Sequence, residues 1–295
     1  MSRKTKEAVQ GVIYILPSFV LILIFCIIPI FMSGYFSFTE YNIMNSPKFV
    51  GLDNYIKMFK DSYVTDAAKN TLLYVVMTVP VQTILALAFA AFLAAKIQNK
   101  KGEFLRSVMF IPVIASAVTA GTVWRIILNT DGGFLNNILN FFHISSVNWL
   151  GSTKTSLLSI CIVAVWKNVG YFLVIYYAGI MGIQKDLYEA ARVDGANGWQ
   201  QFWKITLKLL TPTIHFNLVM QMINGFLAFT QCLIITQGKP MNSTLFYTVY
   251  MYQQSFLFGS TGYGAALAWI MLALIAFITW ILFATKKLWV YDGGL

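Results

Sequence analysis

The chain has 295 residues, 58% of them hydrophobic and 11% charged, with a formal net charge of +10. A soluble domain carries about 25% charged residues, so a water-soluble globular fold is excluded. The basic residues form no separate hydrophilic arm with interleaved aromatics, which excludes a nucleic-acid binder.

Arg3, Lys4 and Lys6 precede a long apolar stretch from Gly11 to Phe31. The stretch is long enough to span a membrane and no small-x-small cleavage site closes it, so the expectation is an uncleaved first helix. Further charge-free runs occupy 70–95, 107–124 and 209–238. Each reaches or nearly reaches the roughly 20 residues that cross a bilayer. Backbone polar groups must be paired in lipid, and the runs lack the ten-residue alternation of a membrane barrel. The fold class predicted is therefore all-α, a polytopic membrane helical bundle within a single domain, 1–295. Trimmed at polar and Gly/Pro punctuation, six spans are expected, at about 11–34, 70–95, 106–128, 156–183, 213–236 and 263–285.

Six spans put both termini on one side. Thirteen basic residues fall at the termini and in the loops 96–106 and 184–212, against six on the opposite face, where five acids nearly cancel them. The positive-inside bias then predicts a multi-pass plasma (inner) membrane protein with both termini cytoplasmic. Cys26, Cys161 and Cys232 lie in apolar segments without paired spacing, and His143 and His215 are isolated, so no metal site is expected.

Within span four, Lys167 is a charge inside the membrane, and such a residue is a functional candidate by default. With Asn168 and Tyr171 it forms a polar group. The loop 184–212 reads as two amphipathic helices: Asp186 is a candidate cap for the first, Gly195 and Gly198 break it, and Trp199, Phe202, Trp203 and Leu207 form an apolar stripe on the second. From these residues alone, an interfacial helix lying on lipid is an open alternative. In span five, Asn217, Gln221, Asn224 and Gln231 fall within about 80° of one another on a helical wheel, with the small residues Gly225 and Ala228 on that face. Amides donate and accept hydrogen bonds and so match sugar hydroxyls, but they serve equally to bond one helix to another.

The loop also carries Glu189-Ala190-Ala191, three residues, Gly195, nine residues, then Ile205-x-Leu207. This resembles the EAA loop of the permease subunits of ABC importers, with Lys208 where the pattern ends in proline. Leu16-Pro17, the segment from Phe49 to Tyr55, and Ile235-Thr-Gln-Gly-Lys-Pro240 with Thr244 are similar to carbohydrate-uptake permeases, in particular the maltose-permease-like member of a two-permease pair. The resemblance implies that Glu189, Ala190, Ala191, Asp194, Gly195, Ile205 and Leu207 couple the chain to an ATPase. It further implies a second permease, two ATP-binding subunits and an extracytoplasmic sugar-binding protein as partners. ATP and magnesium would reside on the ATPase, since no phosphate-cradling GxxxxGK[ST] loop occurs here. Lys167, Asn168, Tyr171, Gln221, Asn224, Gly225 and Ala228 are the candidate substrate path. The implied function is import of a carbohydrate, such as an oligosaccharide, without bond chemistry in this chain. The alternatives are a permease for a non-sugar solute such as glycerol phosphate, and a self-sufficient secondary transporter. The latter conflicts with the absence of acids from every span.

Overall fold

The structure is a computed structural model that describes residues 3–97 and 99–291. The outermost ends of the predicted domain, and with them the terminal residues whose side of the membrane the charges predict, lie outside the described residues. Among the described residues five helices are long and apolar enough to span a bilayer, six if one sharply bent pair is a single span. The predicted helical bundle is therefore observed, with span three as its exception.

One compact unit comprises residues 1–61 and 251–273. Its first helix, α1 (Arg3–Ile22), continues through a π turn at Leu23–Ile27 into α2 (Ile28–Ser37). None of the most apolar 18 residues in Gln10–Ser37 is buried in this chain. In water so much exposed apolar surface would be prohibitive, whereas in lipid it costs nothing. Two short antiparallel strands, β1 (Thr39–Glu40) and β2 (Lys48–Phe49), lead to the amphipathic helix α3 (Asp53–Lys60). The buried Asn54 amide fixes α3 by donating to the carbonyls of Ser37 and Thr39, both at 2.9 Å.

The second unit comprises residues 62–250 and 274–295. It contains α4 (Ser62–Lys96), α5 (Lys100–Ile114), α6 (Ala117–Ile127), α7 (Phe134–Phe141), α8 (Ser156–Met181), α9 (Lys185–Val193), α10 (Gly198–Gln201), α11 (Leu207–Leu209), α12 (Thr211–Phe226) and α13 (Thr230–Ile235). The short α14 (Tyr247–Tyr252) and the long α15 (Thr261–Trp289) each run across a unit boundary. Its core is the α4–α8 pair. Ala86, Ala90 and Ala94, spaced by four on α4, are buried together with Leu93 against Phe172, Leu173, Tyr176 and Ile180 of α8. Small residues on one face let two helices approach closely, which is the main source of packing energy where lipid removes the hydrophobic drive.

The single helix expected at 106–128 is instead two, α5 and α6, bent by 95° at Ala115 and Ser116. Pro112 lies near the end of α5, and Ser116 precedes α6 without making a side-chain cap. Gly170 of α8 explains how closely the neighbour passes: a Cβ there would lie 2.0 Å from the Met109 carbonyl oxygen. Sequence periodicity could not show this bend, because both halves are apolar. Span five is observed over Thr211–Ile235, with a short break in its helix. It stops at Phe226 and resumes at Thr230, so Gln231 lies beyond the break rather than on one continuous face with Asn217.

Candidate functional site

The loop between α8 and α12 folds as two helices whose junction is determined by caps on both sides. At the end of α9, the Ala196 N–H donates to the Ala191 carbonyl at 2.8 Å and the Gly195 N–H to that of Arg192 at 3.0 Å. This is a Schellman closure with Gly195 in the left-handed position that glycine tolerates best, at φ +79°. The next helix opens on a capping box: Gln200 N–H donates to Asn197 Oδ1 and Asn197 N–H to Gln200 Oε1, both at 2.9 Å. Two details depart from the sequence reading. Asp186 is not the cap, since α9 starts at Lys185 after Gln184 and Asp186 contributes only a negative charge to its first turn. Gly198 does not break the first helix; it is the first residue of the second.

α10 runs through a π turn, Phe202–Thr206, into α11. Tyr188 Oη and Thr206 Oγ1 share a hydrogen bond of 2.9 Å, which ties the two halves of the loop together. Thr206 and Leu210 are buried, and Ile205 and Leu207 are half-buried. Most residues distal to that root are exposed. No residue of α9 is buried, Glu189, Ala190, Asp194 and Gly195 are exposed, and Ala191 is half-buried. Val193 is 89% exposed and Trp199 70%, with Trp199 edge-on to Trp203 at 5.5 Å between ring centres. The loop is thus capped and cross-braced, rooted at Thr206 and Leu210, and carries an apolar surface left exposed among the described residues.

The polar residues of the spans separate into two classes. Lys167 is buried at 9% exposure, and its Nζ donates to the carbonyls of Ala115, Pro112 and Val113 at 2.8, 3.2 and 3.4 Å. The ammonium therefore caps the carbonyl end of α5 where the span breaks, the location at which a helix has free acceptors and a negative dipole end. Gln221 is also buried and exchanges hydrogen bonds with Thr83 of α4, donating through Nε2 at 3.1 Å. Gly225 faces Val75, whose Cγ2 would stand 3.0 Å from an added Cβ. Ala228 is buried beyond the end of α12, its carbonyl accepting from Thr248. These four are turned into the protein.

Asn224 and Tyr171, in contrast, are exposed, and Asn168 is half-buried. They are the candidate path residues that this chain leaves uncovered. Asn217 is fully buried, beside Tyr176 Oη, which sits among Asn217, Thr83 and Gln221. Thr83 and Tyr176 were not among the sequence candidates, since a threonine or tyrosine in an apolar run gives no periodic signal. The partner of Lys167 did have one. With every acid outside the spans, an intramembrane ammonium needs neutral acceptors, and the free carbonyls at a helix end are one such set.

The model of the family described as "Binding-protein-dependent transport system inner membrane component" matches residues 58–287. The chain is 38% identical over 293 residues to the probable ABC transporter permease protein YesP of Bacillus subtilis, covering 97% of this chain and 93% of that protein. It is 32% identical over 292 residues to the probable starch degradation products transport system permease protein AmyD of Thermoanaerobacterium thermosulfurigenes, covering 97% and 98%. It is 31% identical over 264 residues to the arabinooligosaccharides transport system permease protein AraP of Bacillus subtilis, covering 89% and 82%. Among solved structures, a chain of the bacterial alginate ABC transporter in complex with alginate pentasaccharide-bound periplasmic protein shares the fold, with a TM-score of 0.84 at 22% identity, covering 97% of this chain and 96% of that one. A break-containing helical bundle with a rigid protruding loop, matched by the family model over most of its length, places this chain in the family of binding-protein-dependent transport system inner membrane components.

Proposed function

We propose that this chain is the membrane-spanning permease of an ATP-driven importer for a carbohydrate, working with a second permease, two ATP-binding subunits and an extracytoplasmic binding protein. The observation that carries the proposal is the loop 184–212: a capped, cross-braced pair of helices with Glu189, Ala190, Gly195 and an unpartnered apolar surface facing outward. A braced pair of helices rooted at Ile205, Thr206, Leu207 and Leu210 suits the transmission of force, which a plain interfacial helix has no need to do. On this reading the loop seats in a partner ATPase that holds ATP and magnesium, and Glu189 meets a basic residue there. Both termini and the loop lie on the cytoplasmic side, as the distribution of Lys and Arg supports.

Carbohydrate as the substrate class rests on the relatives whose names specify starch degradation products and arabinooligosaccharides. The path consists of the uncovered polar residues, Asn224, Asn168 and Tyr171. Their neutral donors and acceptors suit hydroxyls, and the Tyr171 ring, 38% exposed, offers an apolar face to a pyranose. Lys167, Gln221, Gly225 and Ala228 hold the walls behind that path. Affinity purification of the tagged chain in mild detergent, followed by identification of co-purifying subunits and an ATPase assay, tests the proposal. Recovery of a nucleotide-binding subunit whose activity rises with sugar-loaded binding protein supports it; transport by the lone chain without ATP refutes it.

A further inference from the structure

Residues 132–153, between α6 and α8, contain no Lys, Arg, Asp or Glu. Within them α7 is a well-defined helix, closed by a Schellman turn. The Ile144 N–H donates to the Leu139 carbonyl at 2.9 Å and the His143 N–H to that of Asn140 at 3.0 Å, with His143 in the left-handed position at φ +59°. This helix is packed inside out. Its buried residue is Asn136, whose Nδ2 donates to the carbonyls of Thr130 and Val147 at 3.0 and 2.9 Å. Asn136 Oδ1 accepts from the Val147 N–H at 3.1 Å and from Trp149 Nε1 at 2.9 Å. Phe134, Ile138 and Phe141 fall within about 60° of one another on the helical wheel, and Asn136 lies roughly opposite them. All three are exposed, Phe134 at 64% and Phe141 at 78%. A helix on a water-facing surface shows the reverse arrangement, since burial of its apolar stripe is what holds it in place.

We propose that α7 lies in the membrane–water interface with Phe134, Ile138 and Phe141 set among the acyl chains, anchoring the loop between α6 and α8 to lipid. Hydrogen bonds fix its depth. The Trp149 that donates to Asn136 accepts, through its carbonyl, from Ser159 Oγ at 3.0 Å. Ser159 is the fourth residue of α8, about 5 Å from its start at 1.5 Å per residue. With 26 residues α8 is about 39 Å long, more than the roughly 30 Å hydrocarbon core, so its first turn falls at headgroup level and α7 beside it. The chemistry of the face selects lipid over protein. A soluble partner is met by a polar rim around an apolar centre, and 132–153 supplies no charge for one. A second membrane subunit packs through small residues that let backbones approach, whereas this face consists of Phe, Ile and Phe. An apolar helix face at headgroup depth is the arrangement of an interfacial helix, here held to the protein by its amide side.

The test places the transporter, with its associated subunits, in phosphatidylcholine nanodiscs and reads spin labels at single cysteines. Phe134→Cys, Ile138→Cys and Phe141→Cys report on the face, and Asp131→Cys and Asn140→Cys serve as references. Cys26→Ser removes the exposed native thiol, while Cys161 and Cys232 are buried and stay in place. Relaxation of each label by oxygen, which concentrates among acyl chains, is compared with relaxation by a nickel chelate, which stays in water. Oxygen should dominate at the three face positions and the chelate at both references. Dominance of the chelate at the face places α7 in water and overturns the proposal. Labels shielded from both reagents show a protein subunit covering the face and overturn it equally. A second measurement needs no substitution: phosphatidylcholine with a photoreactive group in its acyl chain should leave adducts on residues 134–141 of the parent chain. Adducts on α6 and α8 with none on α7 would refute the lipid contact even if the cysteine variants fail to fold.

Discussion

Replacing Lys167 by methionine keeps most of the apolar stem and removes the ammonium that caps α5. Three carbonyl acceptors then lose their donor in a site where Lys167 is 9% exposed, with the bond to Ala115 at 2.8 Å much better formed than those to Pro112 and Val113 at 3.2 and 3.4 Å. An orphaned buried acceptor costs about 1–3 kcal/mol. With one strong and two weak bonds lost, the net destabilisation is about 2–4 kcal/mol, because the buried charge that needed them is removed at the same time. On the scaling of domains of 150–250 residues this is a fall in apparent Tm of roughly 4–16 °C. The assay is thermal unfolding of the detergent-solubilised protein, coupled to labelling of a cysteine introduced at Ser116 beside the bend. Lys167→Met should lower Tm and raise labelling, and Lys167→Arg should recover much of both. A Met variant with parental Tm and parental labelling would refute the view that the ammonium holds the break.

Gly170→Ala should also destabilise the bundle, since its methyl would meet the Met109 carbonyl oxygen at 2.0 Å and force α8 away from α5; overpacking of this kind costs about 1–3 kcal/mol or more, and expression of folded protein is the readout. Gly195→Val should leave Tm within a few degrees, because nothing lies within 4 Å of a Cβ there, while adding about 1–2 kcal/mol of left-handed strain to the loop junction. ATPase stimulation by the loaded binding protein should drop, and unchanged stimulation would remove Gly195 from the coupling role. Asn224→Leu, at an exposed position, should preserve folding and lower uptake of the transported sugar, with the opposite pattern, lost folding and intact uptake, showing Asn224 to be structural. Asn197→Ala deletes half of the capping box and should cost about 1 kcal/mol, seen as faster hydrogen exchange of the amides of Gly198 to Gln200 alone.

How far the sequence reaches is best judged on the two candidate regions. The loop was legible because its determinants are local: Gly195 four residues after Ala191 forms a Schellman turn, and Asn197 three before Gln200 forms a capping box, whatever the rest of the chain does. The assignment of Asp186 as the cap failed because the helix begins at Lys185, one residue before the acid, and a helix start depends on where the preceding chain turns. The polar stripe of span five was legible as an amphipathic face but not as a path. A wheel places Gln221 and Asn224 side by side, yet one is bonded to Thr83 of α4 and the other is uncovered.

Apolar length, the absence of acids from the spans, and the local turn chemistry of the loop are properties of contiguous residues, and they alone determined a helical membrane bundle with a rigid protruding element. The 95° bend at Ala115 and Ser116, the docking of Lys167 into it from 52 residues away, and the division of polar side chains between packing and exposure were decided by tertiary structure. Each depends on which helix stands next to which. In a chain where almost every face is apolar, composition carries no record of neighbours, and only the pairing of donors with acceptors across helices reveals them.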